Sequence, residues 1–358
     1  MGAPRIAVEF LKKAATAITR SGRGMVVLIL EDDAGEQPLN PYMGIDEVPQ
    51  DSWTEKNYEY IKMTFRAGPS QVLCIRAAMK DGAMDVSGTL ELARHINFDY
   101  LASPYFKTSD GDVVKAFVKK IRSEGKKAKA VLPGYEADCE ALINFASPWV
   151  TAVWDGGGDP VTYTAQEYCC RIAGILAAIP LTRSSTYYEL EEVVDTAGFD
   201  DVDEEIDSGR LVIIFDGSRY KIARGVTSLQ SISEDHPQDF KKIKVLEGAD
   251  IIKYDIRKTF EDEYVGKMNN TYDNKQLLIG AINQYLKDLE DTVVDKEADH
   301  YVELNLQAVL SYIRSDGMDT DEMTEQQIKE ANTGSSVFLS GKVKLLDAVE
   351  DLQLKIRL

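Results

Sequence analysis

The chain has 358 residues, of which 44% are hydrophobic and 28% are charged, a composition typical of a folded globular protein. Its formal net charge of −19 argues against a nucleic-acid partner, because binding to phosphates depends on clusters of Lys and Arg. The sequence has no apolar run near the roughly 20 residues of a membrane-spanning helix, and its start lacks a signal-peptide layout. We therefore expect synthesis and folding in the cytoplasm, without membrane insertion.

Residues 1–22 predict an N-terminal arm. Residues 5–10 alternate between apolar and polar side chains with the period of two that a half-buried strand requires. This alternation places Ile6, Val8 and Phe10 on one face. We expect the segment to pair as a strand, because its backbone N–H and C=O groups need partners.

Residues 23–235 predict an α/β domain. Apolar runs bounded by turn residues predict strands at 25–30, 72–75, 98–102, 128–132, 150–154 and 211–215. Apolar residues on one face predict helices at 90–96, 113–121, 142–145 and 165–179. The proline-containing stretch 34–56 predicts an irregular loop. Strands and helices that alternate in this way predict a mostly parallel sheet covered by helices.

Residues 236–346 predict a smaller α+β domain that packs with the first strands. The stretch 242–264 mixes short apolar runs with charges, 277–289 predicts an amphipathic helix, and 301–306 and 337–346 predict strands. The predicted fold is therefore α/β, with a mostly parallel sheet, an α+β C-terminal domain and extended arms at both ends.

Residues 347–358 predict a C-terminal arm. They end in a second alternating strand, whose apolar face consists of Leu352, Leu354, Ile356 and Leu358. Such a strand pairs either with an edge of its own sheet or with an edge on another copy of the chain. Alternation alone favours the first possibility, an ordinary edge strand.

The motif search finds no established catalytic or metal-binding signature. His95, His236 and His300 lie in unrelated contexts, and the acidic run 200–207 lacks the spacing of a calcium loop. The four cysteines do not form a disulfide framework or a metal motif and are predicted to be buried free thiols: Cys74, Cys139, Cys169 and Cys170. We therefore predict a protein without enzyme activity, metal or cofactor.

One alternative is an α/β enzyme or a binding protein for a nucleotide and Mg²⁺. Ligands in such folds bind beyond the carboxyl ends of parallel strands, and the predicted ends carry Ser103, Gly134, Asp155 and Asp216. Asp155 and Asp216, each beside glycine, would supply the oxygen ligands that Mg²⁺ prefers. The competing interpretation is that these Asp-Gly pairs form turns, and it is the more common one.

Several segments, in order along the chain, resemble one known family. They are 2–24, Arg224-Gly225-Val226 with the residues up to 229, the stretches 242–250, 255–257 and 264–270, and 337–352 with Asp347-Ala348-Val349-Glu350-Asp351. These segments resemble the contractile tail sheath proteins of bacteriophages and phage-tail-like bacteriocins, and the opening is similar to the short sheaths of Gram-positive prophages. The resemblance is diffuse between about residues 80 and 210.

The resemblance implies a structural subunit of a sheath that polymerises around an inner tail tube. Such a sheath shortens and widens when it is triggered from the baseplate, and it drives the tube through a target cell envelope. A tail terminator protein would be a further partner. We expect the protein in a virion tail or a phage-tail-like particle that assembles in the host cytoplasm.

The resemblance also implies that the terminal arms pair with a sheet in neighbouring subunits. In that case the apolar faces of both arms are the buried faces of exchanged strands.

Overall fold

The computed structural model describes residues 17–154, 157–234 and 236–357. The first part of the chain alternates strands with helices. Its elements are β1 (Met25–Leu30), β2 (Leu39–Tyr42), α1 (Glu55–Phe65), β3 (Gln71–Arg76), β4 (Met79–Lys80), β5 (Ala83–Met84), α2 (Val86–Ala93), β6 (Tyr100–Ala102), α3 (Gly111–Ser123) and β7 (Lys129–Pro133).

The middle part adds shorter strands and one long buried helix. Its elements are β8 (Leu142–Phe145), β9 (Trp149–Ala152), β10 (Val161–Thr164), α4 (Ala165–Ala178), β11 (Val193–Thr196), α5 (Val202–Asp207), β12 (Arg210–Leu211), β13 (Ile213–Phe215) and β14 (Tyr220–Ile222). The last part is mainly helical. Its elements are α6 (Ile243–Glu263), α7 (Tyr272–Asp288), β15 (Tyr301–Leu304), α8 (Leu306–Ser315), α9 (Glu325–Glu330) and β16 (Leu339–Lys342).

The central sheet contains seven strands in the order β12-β8-β7-β6-β1-β3-β2. Pairing is parallel from β12 through to β3, and only the edge strand β2 runs antiparallel to its neighbour. The mostly parallel, helix-covered sheet predicted from the sequence is confirmed.

Both faces of this sheet are buried. Val26, Leu28 and Leu30 of β1 pack with α1 and α4, whereas Val27 and Ile29 pack on the opposite face with α2 and α3. Strands covered on both faces have continuous apolar sequences, which is why these runs were recognisable. The helix α4 begins with a capping box between Thr164 and Glu167.

Three local predictions are wrong. The stretch 142–145 is strand β8, because an apolar run buried on both faces has no period that distinguishes a strand from a helix. The predicted loop 34–56 contains β2, in which Pro41 is tolerated because the strand lies at the sheet edge. The run 211–215 divides between β12 in the parallel sheet and β13, which pairs with β14 in a separate hairpin.

The chain forms two compact units. One contains residues 21–254 and 345–357, and the other contains residues 17–20 and 255–344. The second unit holds α7, α8, α9 and the antiparallel pair β15–β16, so the predicted α+β character of the C-terminal region is confirmed. The domain boundaries at residues 22, 235 and 346 stay predictions. None of the helices in the described ranges is long and apolar enough to cross a membrane.

Candidate assembly interface at the C-terminal segment

Residues 345–357 form no helix or strand within the part of the chain that the structure describes. Three alternate side chains are strongly exposed: Leu352 at 85%, Leu354 at 72% and Ile356 at 75%. Full burial of one such side chain contributes about 1.5–3 kcal/mol. These three apolar side chains therefore lie in water in the isolated subunit.

The structure describes three of the seven predicted strand residues. Leu352, Leu354 and Ile356 lie on this exposed stretch, and their backbone groups join no ladder among the described residues. The predictions for Ile6, Val8 and Phe10, and for Leu358, fall outside the described residues. That all seven are buried faces of exchanged strands stays a prediction.

Acidic side chains just before the exposed stretch bind it to its own subunit. The Glu350 side chain is only 4% exposed, and its carboxylate lies 3.1 Å from the Lys242 ammonium and 3.6 Å from the Arg224 guanidinium. The hydroxyls of Thr186 and Ser184 donate hydrogen bonds to its other oxygen at 2.6 and 3.2 Å. Glu350 is therefore held by two cations and two hydroxyls.

Two further acids extend this arrangement. Asp347 forms an ion pair with Lys242, and Asp351 accepts a hydrogen bond from Arg224 at 2.7 Å. Lys244 donates a hydrogen bond to the Leu346 carbonyl at 2.9 Å. We call the three acids and their partners the clasp: Asp347, Glu350, Asp351, Arg224, Lys242, Ser184 and Thr186.

The electrostatics of the clasp favour its charged form. Burial alone would lower the pKa of Lys242, but hydrogen bonds and charges from Asp347 and Glu350 raise it above its usual value. The Lys242 ammonium is therefore fully charged at neutral pH.

The close approach of the chain at the clasp explains a glycine. A Cβ atom at Gly225 would overlap the Ser185 hydroxyl oxygen, and the Gly225 N–H donates to the Thr186 hydroxyl at 3.0 Å. Gly225 thus lets the segment around Arg224 lie against the segment that carries Thr186. Three of the stretches that resemble the sheath family, around residues 224, 242 and 350, meet here.

A second charged network, which is buried, joins α6 to the amino end of the central sheet. Lys129, at the start of β7, is fully buried, and its ammonium lies 2.9 Å from Asp250 and 3.2 Å from Glu247. Arg122 donates to Asp250 at 2.7 and 2.8 Å, and Arg23 pairs with Glu247 at 2.7 Å. Every charge in this group has a partner of opposite sign, which is the condition under which charges can be buried.

The pKa values in this network move in the direction that keeps it ionised. Burial alone would raise the pKa of Glu247, but the charges of Arg23 and Lys129 lower it well below its usual range. Burial also opposes ionisation of Asp250, and Lys129 and Arg122 lower its pKa in the same way. No sequence pattern predicted this network. The only indication of it in the sequence is a pair of acids three residues apart among the apolar residues of 242–264.

The carboxyl ends of the parallel strands, where the enzyme hypothesis places its site, are occupied by the chain's own side chains. The Asp32 carboxylate accepts hydrogen bonds from the Asn57 amide at 2.7 Å and from the Thr54 N–H at 2.8 Å. Asn57 accepts a hydrogen bond from the Tyr105 hydroxyl at 2.8 Å, and Ser103 is fully buried. These polar groups satisfy one another.

The carboxylates of the alternative hypothesis do not follow strands of the parallel sheet. Asp216 follows β13 in a hairpin, where it accepts hydrogen bonds from the N–H groups of Ser218 and Arg219, both at 2.9 Å, and pairs with Lys221 at 2.5 Å. Asp155 lies outside the described residues, and the strand before it, β9, belongs to an antiparallel sheet with β10 and β11. Neither residue therefore follows a strand of the parallel sheet, where a ligand site would be expected.

Two of the histidines each lie beside one carboxylate. His236 lies 3.1 Å from Glu140, and His300 lies 3.1 Å from Glu290. The four cysteines are free and buried, as predicted, and burial raises the pKa of the Cys74 thiol. Across the described ranges, no group of three or more His, Cys, Asp or Glu side chains is arranged to hold a metal ion.

Comparison with known proteins identifies the family. Residues 80–228 match the phage tail sheath protein central domain, and residues 235–358 match the phage tail sheath C-terminal domain. The tail sheath protein of Clostridium phage phiCD119 is 33% identical over 369 residues, which cover 100% of this chain and 99% of that protein.

Solved structures of low sequence identity share the fold. The sheath tail protein from Desulfitobacterium hafniense has a TM-score of 0.67 at 17% identity, over 83% of this chain and 93% of that chain. The anti-feeding prophage helical sheath in its contracted state has a TM-score of 0.69 at 14% identity, over 100% of this chain and 99% of that chain. The resemblance found in the sequence is confirmed: the chain belongs to the phage tail sheath protein family and is a structural subunit of a tail sheath.

Proposed function

We propose that the subunits polymerise into a contractile sheath around an inner tail tube and that residues 352–358 are donated as a strand to a neighbouring subunit. The observation that carries the proposal is that three apolar side chains, Leu352, Leu354 and Ile356, are exposed shortly after an acid that is bound to its own subunit. A partner strand would bury these side chains and pair their backbone groups.

The antiparallel pair β15–β16 is the acceptor that we favour. A two-stranded ribbon is marginally stable in water, and further strands increase its stability. Among the described residues, β15 and β16 pair only with each other, which leaves the outer edge of β16 for an added strand. On the outer edge of β15, the Val302 N–H and C=O bond to the Asn283 side chain, which a strand added there must displace. We assign the C-terminal arm of one neighbour to one edge, and the N-terminal arm with Ile6, Val8 and Phe10 to the other.

Strand exchange suits a sheath that changes length. Backbone ladders keep subunits connected during large rigid-body movements, provided that the connecting segments bend, whereas side-chain contacts between bodies can be replaced. The free energy of contraction is then the difference between two packings of the same subunits, and it needs no nucleotide. Specific contacts must also overcome the repulsion between subunits that each carry a net charge of −19.

The partners and the location follow from the same proposal. Structures that share this fold are described as a helical sheath in the contracted state and as a baseplate of the anti-feeding prophage. We infer that this chain contacts an inner tube protein, baseplate proteins and a tail terminator. It would act in the tail of a virion or a phage-tail-like particle that assembles in the host cytoplasm.

The test is assembly of a variant with a polar C-terminal face. The unaltered protein should form long hollow tubes in negative-stain micrographs. Leu352→Ser, Leu354→Ser and Ile356→Ser together should leave a folded subunit but abolish these tubes. The reason is that the donated strand loses the apolar face that it buries. Melting temperature establishes that the subunit is folded.

The matched control changes the opposite face of the same strand. Gln353→Ser, Lys355→Ser and Arg357→Ser together should still form tubes, because these side chains face away from the acceptor sheet. Tubes of normal length from the apolar-face variant would refute donation of the C-terminal strand.

A further inference from the structure

The C-terminal segment is anchored mainly at one side chain. The Glu350 side chain is 4% exposed, whereas Val349 is 97% exposed and Leu352 is 85% exposed. The acids of the clasp hold the chain up to Asp351 on its own subunit, and the apolar alternation begins immediately afterwards. Glu350 is therefore the buried side chain nearest to the exposed alternation.

The Glu350 carboxylate is nearly buried. A carboxylate that is nearly buried is stable only if charged and hydrogen-bonding groups replace the water that it has lost. Here those groups come from two separate regions of the chain, the hydroxyls of Ser184 and Thr186 and the cations Arg224 and Lys242. Glu350 thus fixes the segment against a surface that is already formed by the folded body.

We propose that Glu350 is a positioning residue for strand donation: the clasp stays closed while residues 352 onward pair with the neighbour, and it fixes where the donated strand leaves its own subunit. This inference rests on the proposed strand donation. It adds that the movable joint lies after Asp351, whereas the chain before it remains part of the donor subunit in the assembled sheath.

The clasp matters for assembly because it shortens the tether. When it is closed, the donated strand begins next to a fixed point. When it is open, Lys244 still holds the Leu346 carbonyl, so residues 347–351 join the tether and extend its reach by up to about 18 Å. The local concentration of the strand at the acceptor falls steeply with tether length, so we expect a loss of about tenfold.

The first measurement is the lowest protein concentration at which tubes form. Asp347→Asn together with Glu350→Gln preserves side-chain shape but removes two charges from the clasp, and it should raise this concentration about tenfold. The control, Asp33→Asn together with Glu36→Gln, removes two charges from exposed acids elsewhere and should leave it unchanged. Equal melting temperatures for the two variants would show that the effect is not a loss of folding.

The second measurement reports on the clasp without assembly. A nitroxide is attached at Val349→Cys, a position that is 97% exposed, in the subunit that also carries Leu352→Ser, Leu354→Ser and Ile356→Ser. Selective labelling is feasible because the native cysteines are buried. Its electron paramagnetic resonance spectrum should show restricted motion, and adding the two amide substitutions should make it mobile.

The two readouts separate the possible failures. A label that stays equally restricted in the amide variant shows that the acids do not hold the segment, and a freed label with unchanged tube formation shows that holding it does not position the strand. Either result overturns the inference and leaves strand donation standing. Failure of donation itself appears separately, as tubes from the apolar-face variant.

Discussion

Lys129 is the residue on which the buried network of α6 depends. Its ammonium has three partners, the Asp250 carboxylate at 2.9 Å, the Glu247 carboxylate at 3.2 Å and the Lys127 carbonyl at 3.0 Å. Arg122 and Arg23 each reach one of these carboxylates, so Lys129 is the cation that the two acids share. Two acids brought this close on a buried helix face need that shared charge.

Lys129→Met should therefore lower the free energy of unfolding by about 3–5 kcal/mol, because removal of one partner leaves buried charge uncompensated. Lys119→Met, at an exposed position of α3, is the control and should change stability by less than about 0.5 kcal/mol. Urea unfolding followed by circular dichroism measures both. A loss below 1 kcal/mol for Lys129→Met would contradict the role given to this network.

At the scale of elements, α1 and α4 pack so closely that one glycine is required. A Cβ atom at Gly174 would overlap the Thr64 carbonyl oxygen of α1. By contrast, a Cβ at Gly280, on the exposed side of α7, would meet no atom of the described chain within 4 Å. Both glycines thus lie in helices, but Gly174 is closely packed and Gly280 is not.

Gly174→Ala should destabilise the protein by about 1–3 kcal/mol, because the helices must separate to admit the methyl group. Gly280→Ala should stabilise it by about 0.5–1 kcal/mol, because alanine is the better helix former and nothing opposes its side chain. Denaturant unfolding of both variants gives the comparison. Effects of the same sign would show that close packing of α1 and α4 does not govern the first site.

Secondary structure was predicted correctly where one hydrophobic pattern applied, and it was predicted wrongly where the residues fitted two patterns. The strands β1 and β3 were recognisable because burial of both faces gives a continuous apolar run. The strand β8 is also a continuous apolar run, but it was predicted as a helix because such a run has no period that distinguishes the two. The helix α6 was missed because Glu247 and Asp250 interrupt its apolar face, and their partners, such as Lys129, come from distant parts of the chain. The clasp was hidden for the same reason, since no local pattern connects Glu350 with Arg224.

At the scale of the whole molecule, the subunit consists of two compact units and a C-terminal segment whose apolar side chains are exposed. The unit that contains the central sheet is stabilised by that sheet and by buried charges, and the clasp holds the base of the C-terminal segment. Beyond it, the exposed alternation of residues 352–357 is costly in water and suits a partner strand. We therefore expect a neighbouring subunit to supply that partner strand.

A cryo-EM reconstruction of the tubes, at a resolution that traces the backbone, tests this claim most directly. We expect residues 352–357 to form a strand that is hydrogen-bonded to the sheet of an adjacent subunit, while Glu350 remains against Arg224 and Lys242 of its own. A map in which residues 352–357 fold back onto their own subunit, or pair with no other strand, would contradict the account.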